Sequence, residues 1–425
     1  MASSLSVGMM KVQGFACSTR MDYSTQSGKK AKRDEDICRT AMFDVVTPMR
    51  YPCNQIRTAS SQQGFHMKPR LVLVGGFLGA GKTTLLLRAA QHLAAHGLRV
   101  GLVTNDQATD LVDTALAQAQ ERAVVEVAGG CFCCRFPDLI EALRQLQQTV
   151  APEVILAEPV GSCTDLMATV LRPLMAYHPD EYELAPLTVL LDPGRRVDDY
   201  ADEVAYLYRQ QLAEAEVILL SKADLPWDGS RAELQQRLAQ QFAPAPVLNL
   251  SAQQGEGVDA WLELVLSQHS RLERTLQIDY ERYAAAEARL GWLNASGVLV
   301  GQRRFSPKNW ITYLLQILEA TLSGQGAAIA HIKLQAATAT GIWKASLTER
   351  GGAVGWDAEP PAVRTEQVDF ILNARVHTMP DRLERAVRSA FAEVTPAPEF
   401  SYEFTQFACF SPAPPKPTYR FADAP

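Results

Sequence analysis

Apolar positions in the middle of the chain fall into short continuous runs, separated by stretches with a helical period. Arg70-Leu71-Val72-Leu73-Val74 is one such run, closed by Gly75-Gly76. Residues 83–97 follow, with Leu85, Leu86, Ala89, Ala90 and Leu93 on one helix face. Further apolar runs lie at 99–103, 123–127, 154–157, 187–191, 217–220 and 247–250, and helical stretches at 137–149, 164–176, 197–212, 230–241 and 258–267 separate most of them. Strands that are apolar on both faces and alternate with helices predict an α/β fold, a mainly parallel sheet covered by helices on both faces. After about residue 276 the style changes. An amphipathic segment at 280–290 leads into a strand at 291–300, a helix at 308–322, strands near 329–336, 341–348 and 367–377, and a helix at 381–394. That β-α-β-β-β-α order predicts a smaller C-terminal α+β domain and suggests a ferredoxin-like arrangement.

The pattern divides the chain into four parts. Residues 1–68 sustain no period and read as a disordered extension, 69–275 form the α/β domain, and 276–410 form the C-terminal α+β domain. Residues 411–425, with Pro412, Pro414, Pro415 and Pro417, read as an extended proline-rich tail. A length of 425 residues exceeds one compact core, in keeping with two domains. Apolar residues at 47% and charged residues at 21% are ordinary for a soluble protein. The 41 basic and 47 acidic side chains give −6, against a dedicated nucleic-acid binder. No apolar run approaches the roughly 18 residues a membrane helix needs, so neither nucleic acid nor membrane is an expected partner. The extension holds ten basic and five acidic side chains, +5, which leaves −11 for the rest. Its Asp34-Glu35-Asp36 run is too acidic for a transit peptide, and no secretory pattern precedes it. A cytoplasmic protein is expected, with Met67, just before the first strand, as a candidate natural start.

Gly76-Phe77-Leu78-Gly79-Ala80-Gly81-Lys82-Thr83 fits G-x-x-x-x-G-K-[ST] between a buried strand and a helix, with Thr84 next. Its glycines let backbone N–H groups wrap a β-phosphate at the positive end of the helix. Lys82 is placed to bridge the β- and γ-phosphates, and Thr83 to coordinate Mg²⁺. The apolar run 154–157 delivers Glu158, followed by Pro159-Val160-Gly161. Glu158 can orient water or a metal-bound water, and the Gly161 amide can sense the γ-phosphate. The run 217–220 delivers Ser221-Lys222-Ala223-Asp224. The Asp224 carboxylate can accept from N1–H and N2–H₂ of guanine, and the Lys222 stem can pack along the purine. Ser251 and Ala252 open a loop suited to the guanine O6.

Eight cysteines occur, three of them in Cys131-Phe132-Cys133-Cys134. Such clustering suggests metal ligation or thiol chemistry over structural bridging. On an extended segment, cysteines at i and i+2 face one side and the adjacent third can fold back. Soft thiolates so placed suit Zn²⁺, Cu⁺ or Co²⁺ over Mg²⁺, and three leave a position open for transfer. Reversible thiol oxidation and simple packing are the other readings. Cys163, just past Gly161, is placed to approach the same site; Cys17, Cys38, Cys53 and Cys409 receive no role.

Together Gly75 to Thr84, Asn105-Asp106, Gly130-Cys131-Phe132-Cys133-Cys134, Glu158 to Gly161 and Ser221 to Asp224 resemble the CobW/UreG/HypB family of P-loop GTPases, over roughly residues 70–270. Members of that family are associated with metal delivery to metalloenzymes. Glutamate at 158 with the Gly-Cys-x-Cys-Cys run points to the CobW-like branch. The resemblance implies a GTPase that couples nucleotide state to binding or delivery of a transition metal, zinc first, through Cys131, Cys133 and Cys134. It implies GTP, Mg²⁺ and Zn²⁺ or another soft divalent metal as ligands, and a client metalloprotein and a homodimer as partners. Lys82, Thr83, Glu158 and Asp106 are the expected catalytic set, with Asn105-Asp106 as a switch turn at Mg²⁺. Ser221 replaces the family's usual asparagine, which weakens the expected hold on guanine. The C-terminal part lacks the basic-glycine and His-rich signatures of CobW-like second domains. A P-loop ATPase or kinase, and a nucleotide-binding regulatory module with a structural metal and little turnover, are the alternatives.

Overall fold

In the computed structural model, residues 68–105, 123–127, 129–195, 202–227, 229–339, 341–348 and 352–422 are described. Residues 1–67, and with them Met67, Cys17, Cys38 and Cys53, lie outside the described residues, as does Asp106. The first part of the chain builds β1 (Arg70–Gly76), α1 (Lys82–Ala95), β2 (Val100–Asn105), β3 (Ala123–Val127), α2 (Phe136–Val150) and β4 (Val154–Ala157). A π-helical turn at Met167–Leu171 runs into α3 (Arg172–Tyr177). Then come β5 (Glu183–Leu184), β6 (Thr188–Leu191), α4 (Asp202–Glu214), β7 (Val217–Leu220), α5 (Arg231–Gln241), β8 (Val247–Asn249) and α6 (Val258–Ser267).

The strands pair in parallel in the order β3-β2-β4-β1-β6-β7-β8, with β5 beside β1. Period-two alternation explains why both faces need cover. Leu71 and Leu73 of β1 join Leu139 and Leu143 of α2 and Leu207 of α4 on one side. Val72 and Val74 join Leu85, Leu86 and Ala89 of α1 and Trp261 and Leu262 of α6 on the other. Each fully buried leucine contributes about 1.5–3 kcal/mol, which fixes the strand edges whose C-terminal ends carry the motifs.

After α7 (Tyr280–Ala288) a second sheet forms from β9 (Gly291–Phe305), β10 (Ala328–Thr338), β11 (Gly341–Leu347), β12 (Gly355–Ala358), β13 (Thr365–His377) and β14 (Phe400–Phe410). Helices α8 (Pro307–Gly324) and α9 (Pro380–Val394) connect β9 to β10 and β13 to β14. Pairing is antiparallel in the order β12-β11-β10-β13-β9-β14. The inner run β10-β13-β9-β14 is the ferredoxin-like order, and β11 and β12 extend its β10 edge. The sequence pattern misses β12 and β14. The first has four residues at the sheet edge. In the second, a register shift between Phe404 and Gln406 breaks the alternation of Phe400, Tyr402, Phe404 and Phe407. Leu314 and Leu318 of α8 and Val387 and Phe391 of α9 cover one face, against Leu293, Ile332, Leu334, Leu372 and Ala374.

Candidate nucleotide and metal site

Between β1 and α1 the chain turns through Gly76, Gly79 and Gly81, all with positive φ. At Gly76 a side chain is excluded twice: φ is +130°, and a Cβ would stand 2.6 Å from the Leu190 carbonyl oxygen. The loop curls around Lys82. Its buried Nζ donates to the carbonyl oxygens of Gly76 (2.9 Å) and Phe77 (3.5 Å) and lies 3.7 Å from Glu158 Oε1. The Thr83 hydroxyl donates to Glu158 Oε2 at 2.8 Å. Strand β4 thus brings Glu158 to the P-loop, as its place after an apolar run suggested. A hydroxyl and a carboxylate in contact are hard oxygen donors that fit Mg²⁺. Gly161 packs on the P-loop, where an added Cβ would stand 2.7 Å from Leu78 Cδ2 and 3.0 Å from the Leu78 backbone. Gly79, Ala80, Gly81 and Thr84 line a cavity of about 560 Å³ with Lys82, Thr83, Glu158 and Gly161.

Lys222, Asp224 and Ala252 line the same cavity. Lys222 adopts φ +54°, and its Nζ lies 2.6 Å from Asp192 Oδ2 and donates to Thr348 Oγ1 at 3.2 Å. Asp224 Oδ1 accepts from the Ser251 hydroxyl at 2.5 Å, so Ser251 sits buried behind the carboxylate and braces it. The Ser221 hydroxyl donates to the Leu191 carbonyl at 3.2 Å, at the end of β6. The Arg231 guanidinium donates to the carbonyls of Ser221 and Lys222 at 3.3 and 2.6 Å and fixes the loop from α5.

The cysteines do not sit on an extended segment, as the spacing suggested. Cys134 and Arg135 N–H both donate to the Cys131 carbonyl (3.0 and 2.9 Å), which makes a tight turn leading into α2. The turn is what gathers the three thiols: Sγ separations are 2.8 Å for Cys131–Cys133, 3.2 Å for Cys131–Cys134 and 3.7 Å for Cys133–Cys134. A zinc ion with bonds of about 2.3 Å needs sulfurs roughly 3.8 Å apart. The cluster fits one when Cys131 draws back by about 1 Å from Cys133 and about 0.6 Å from Cys134. Hydrogen bonds from Cys133, Cys134 and Cys163 hold the Cys131 thiol well below the usual thiol range. The contact to Cys131 is the largest cause that raises Cys133, and it also pushes Cys134 up to about 11. Burial, then Cys131, pushes Cys163 up. Cys131 is therefore the first of the group to ionise and the natural first ligand.

One residue, Asn105, joins the two sites. Its amide donates to the Val127 and Gly130 carbonyls, both at 2.7 Å, and its Oδ1 accepts from Phe132 N–H at 2.9 Å and Val160 N–H at 3.4 Å. The cysteine turn and the Glu158–Gly161 loop thus hang on one side chain, which motif reading had placed only as half of a switch turn. Residues 411–422 run over the cluster. Lys416 N–H donates to Cys134 Sγ at 3.2 Å, Thr418 N–H to the Cys133 carbonyl at 2.8 Å and the Thr418 hydroxyl to the Cys134 carbonyl at 3.2 Å. Arg420 pairs with the buried Asp165 carboxylate at 2.7 Å, and the Tyr419 ring meets Phe136 edge-on at 5.4 Å. Arg135 pairs with Asp138 on the surface, and Cys409 donates to the Pro380 carbonyl in the second sheet's periphery.

Among the described residues no helix is long and apolar enough to cross a membrane. The family described as CobW/HypB/UreG, nucleotide-binding domain, matches residues 70–249. The zinc chaperone CobW of Pseudomonas aeruginosa is 28% identical over 258 residues, covering 50% of this chain and 66% of that protein. The zinc chaperone YeiR of Escherichia coli is 30% identical over 171 residues, 39% of this chain and 50% of that one. The zinc chaperone YjiA of the same organism is 28% identical over 187 residues, 43% of this chain and 57% of that one. These matches span between 50 and 66% of the relatives' own length. Residues 70–249 are thus similar to the nucleotide-binding domain of the CobW/HypB/UreG family.

Proposed function

We propose that the chain hydrolyses GTP and uses nucleotide state to hold or deliver a transition metal, zinc foremost, at Cys131, Cys133 and Cys134. The observation that carries the reading is the Asn105 side chain, which bonds the cysteine turn and the Glu158–Gly161 loop at once. The zinc chaperones among its relatives favour the same metal. In this reading residues 69–275 are the nucleotide-binding domain and 276–410 the second domain. A client metalloprotein receives the metal, with the protein acting in the cytoplasm.

Hydrolysis here is γ-phosphoryl transfer to water, driven by positioning and charge. The Thr83 hydroxyl would hold Mg²⁺, which would supply positive charge against the phosphates. Lys82 leaves its carbonyl partners and Glu158 for the phosphates, and the Thr83 hydroxyl turns from Glu158 to the cation. The carboxylate so released orients the attacking water. The Gly161 amide follows the γ-phosphate, and Val160 N–H carries the shift to Asn105 and the thiols. Asp224, braced by Ser251, accepts from guanine; with the Ser221 hydroxyl engaged by the Leu191 carbonyl, selectivity over adenine rests mainly on that carboxylate.

Calorimetric titration of zinc into reduced protein, alone, with GDP and with a non-hydrolysable GTP analogue, tests the coupling, with Cys131→Ala as control. Affinity that changes with nucleotide and collapses in the variant is expected. Tight binding indifferent to nucleotide would leave a GTPase with a structural metal. Competition by ATP equal to that by GTP would favour the ATPase reading.

A further inference from the structure

The central strands of the second sheet bury both faces over much of their length, and the faces differ in kind. Alternation places Ile332 and Leu334 of β10, Leu372 and Ala374 of β13 and Leu293 of β9 against α8 and α9. The same alternation turns His331 and Lys333, Asn373 and Arg375, Trp292, and Lys344 of β11 to the opposite face. The register puts Arg375 opposite both His331 and Trp292, and Lys333 opposite Asn373. An antiparallel sheet with helices on one face ordinarily presents such a polar face to water. Here Lys344 is 3% exposed, Arg375 0% and Asn373 3%.

What covers this face is the nucleotide-binding domain. Arg195 Nη2 donates to the Ala330 and Thr348 carbonyls, both at 3.0 Å, and Lys222 donates to Thr348 Oγ1. Trp292, His331, Lys333, Lys344, Asn373 and Arg375 line the cavity that also holds Lys82, Thr83 and Glu158. Lys333, Lys344 and Arg375 give the wall three cations, and Asp357 lies 3.6 Å from Lys344. The Trp292 indole N–H, on a fully buried ring against Arg375, has no hydrogen-bond partner among the described residues. A buried donor left unmatched costs about 1–3 kcal/mol, so a polar face kept here is matched to a polar, anionic ligand.

We propose that this face is the second wall of the nucleotide site, and that Lys333 and Lys344 bind the terminal phosphate of a nucleotide seated in the P-loop. The inference rests on the nucleotide reading above and assigns a ligand contact to the second domain. Charge-assisted bonds to phosphate at a desolvated lysine distinguish a triphosphate from a diphosphate because only the triphosphate places a γ-phosphate against this wall. The second sheet therefore closes on GTP more firmly than on GDP.

Titration of the full chain with fluorescent GTP-analogue and GDP tests it, using Lys333→Gln, Lys344→Met and Lys82→Ala. Methionine keeps the volume of the buried lysine stem, and Lys333 is only half-buried. Thermal unfolding of each variant establishes that it folds. Either lysine variant is expected to lose about tenfold in GTP-analogue affinity, about 1.4 kcal/mol, with a smaller loss for GDP. Equal losses for both nucleotides, or none in either folded variant, overturn the proposal, provided Lys82→Ala abolishes binding. Unchanged affinity in Lys82→Ala would instead overturn the nucleotide reading itself.

Discussion

Asn105 ends a strand that is otherwise apolar, and its four side-chain bonds reach 22 to 55 residues along the chain. Replacing it by alanine orphans two carbonyls and two N–H groups in a buried place. Asn105→Ala is expected to cost about 2–4 kcal/mol of stability, read by denaturant unfolding. It is also expected to erase the nucleotide dependence of zinc affinity while leaving nucleotide binding intact. Nothing in a single sequence gives the partners of such a residue; an asparagine closing a buried strand is the one signal available. The P-loop residues were legible because a phosphate dictates their spacing locally. Buried carboxyls were not. Glu214 is fully buried, accepts from Thr164 and Met167, and is pushed by burial to about 8. Between roughly pH 4.5 and 8 the folded carboxyl keeps its proton while the unfolded one has lost it. Stability therefore falls as pH rises through that window, at up to about 1.4 kcal/mol per unit. Glu214→Gln is expected to flatten the fall, measured as melting temperature between pH 5 and 8.

At the scale of elements, Gly161 shows how one loop sets another. Its backbone is free to accept alanine, but the added carbon meets the Leu78 backbone at 3.0 Å. Gly161→Ala is expected to lower nucleotide affinity roughly tenfold with little change in melting temperature, because the displaced backbone is the P-loop itself. A large loss of stability with unchanged affinity would place the clash elsewhere. Strands β1, β4, β6, β7 and β8 were legible as apolar runs because a parallel sheet buries both faces. The cysteine turn was not, since Cys-x-Cys-Cys is equally consistent with a strand. The polar face of the second sheet was also hidden. Nothing in the alternation around Lys333, Lys344 and Arg375 tells a solvated face from one over which a second domain is laid.

On the scale of the molecule, the sequence predicts an extended tail over residues 411–425, and the described ones, 411–422, lie along the thiol turn. Arg420 holds them through Asp165, whose carboxylate is 1% exposed. Arg420→Gln is expected to loosen this strap and raise the rate of Cys134 alkylation severalfold, with Cys163, buried beneath, little changed. Mass spectrometry of partially labelled protein reads both, and equal Cys134 rates in variant and parent would falsify the strap's role as a cover.

The strap and the turn it covers lie 282 residues apart in the chain. On a ribosome adding about 5–20 residues per second, roughly 15 to 60 s pass between the emergence of Cys134 and that of Lys416. Throughout that interval the thiols are made but uncovered. The nascent chain thus meets the metal and oxidant content of its surroundings with an open site, and the finished protein meets them with a closed one.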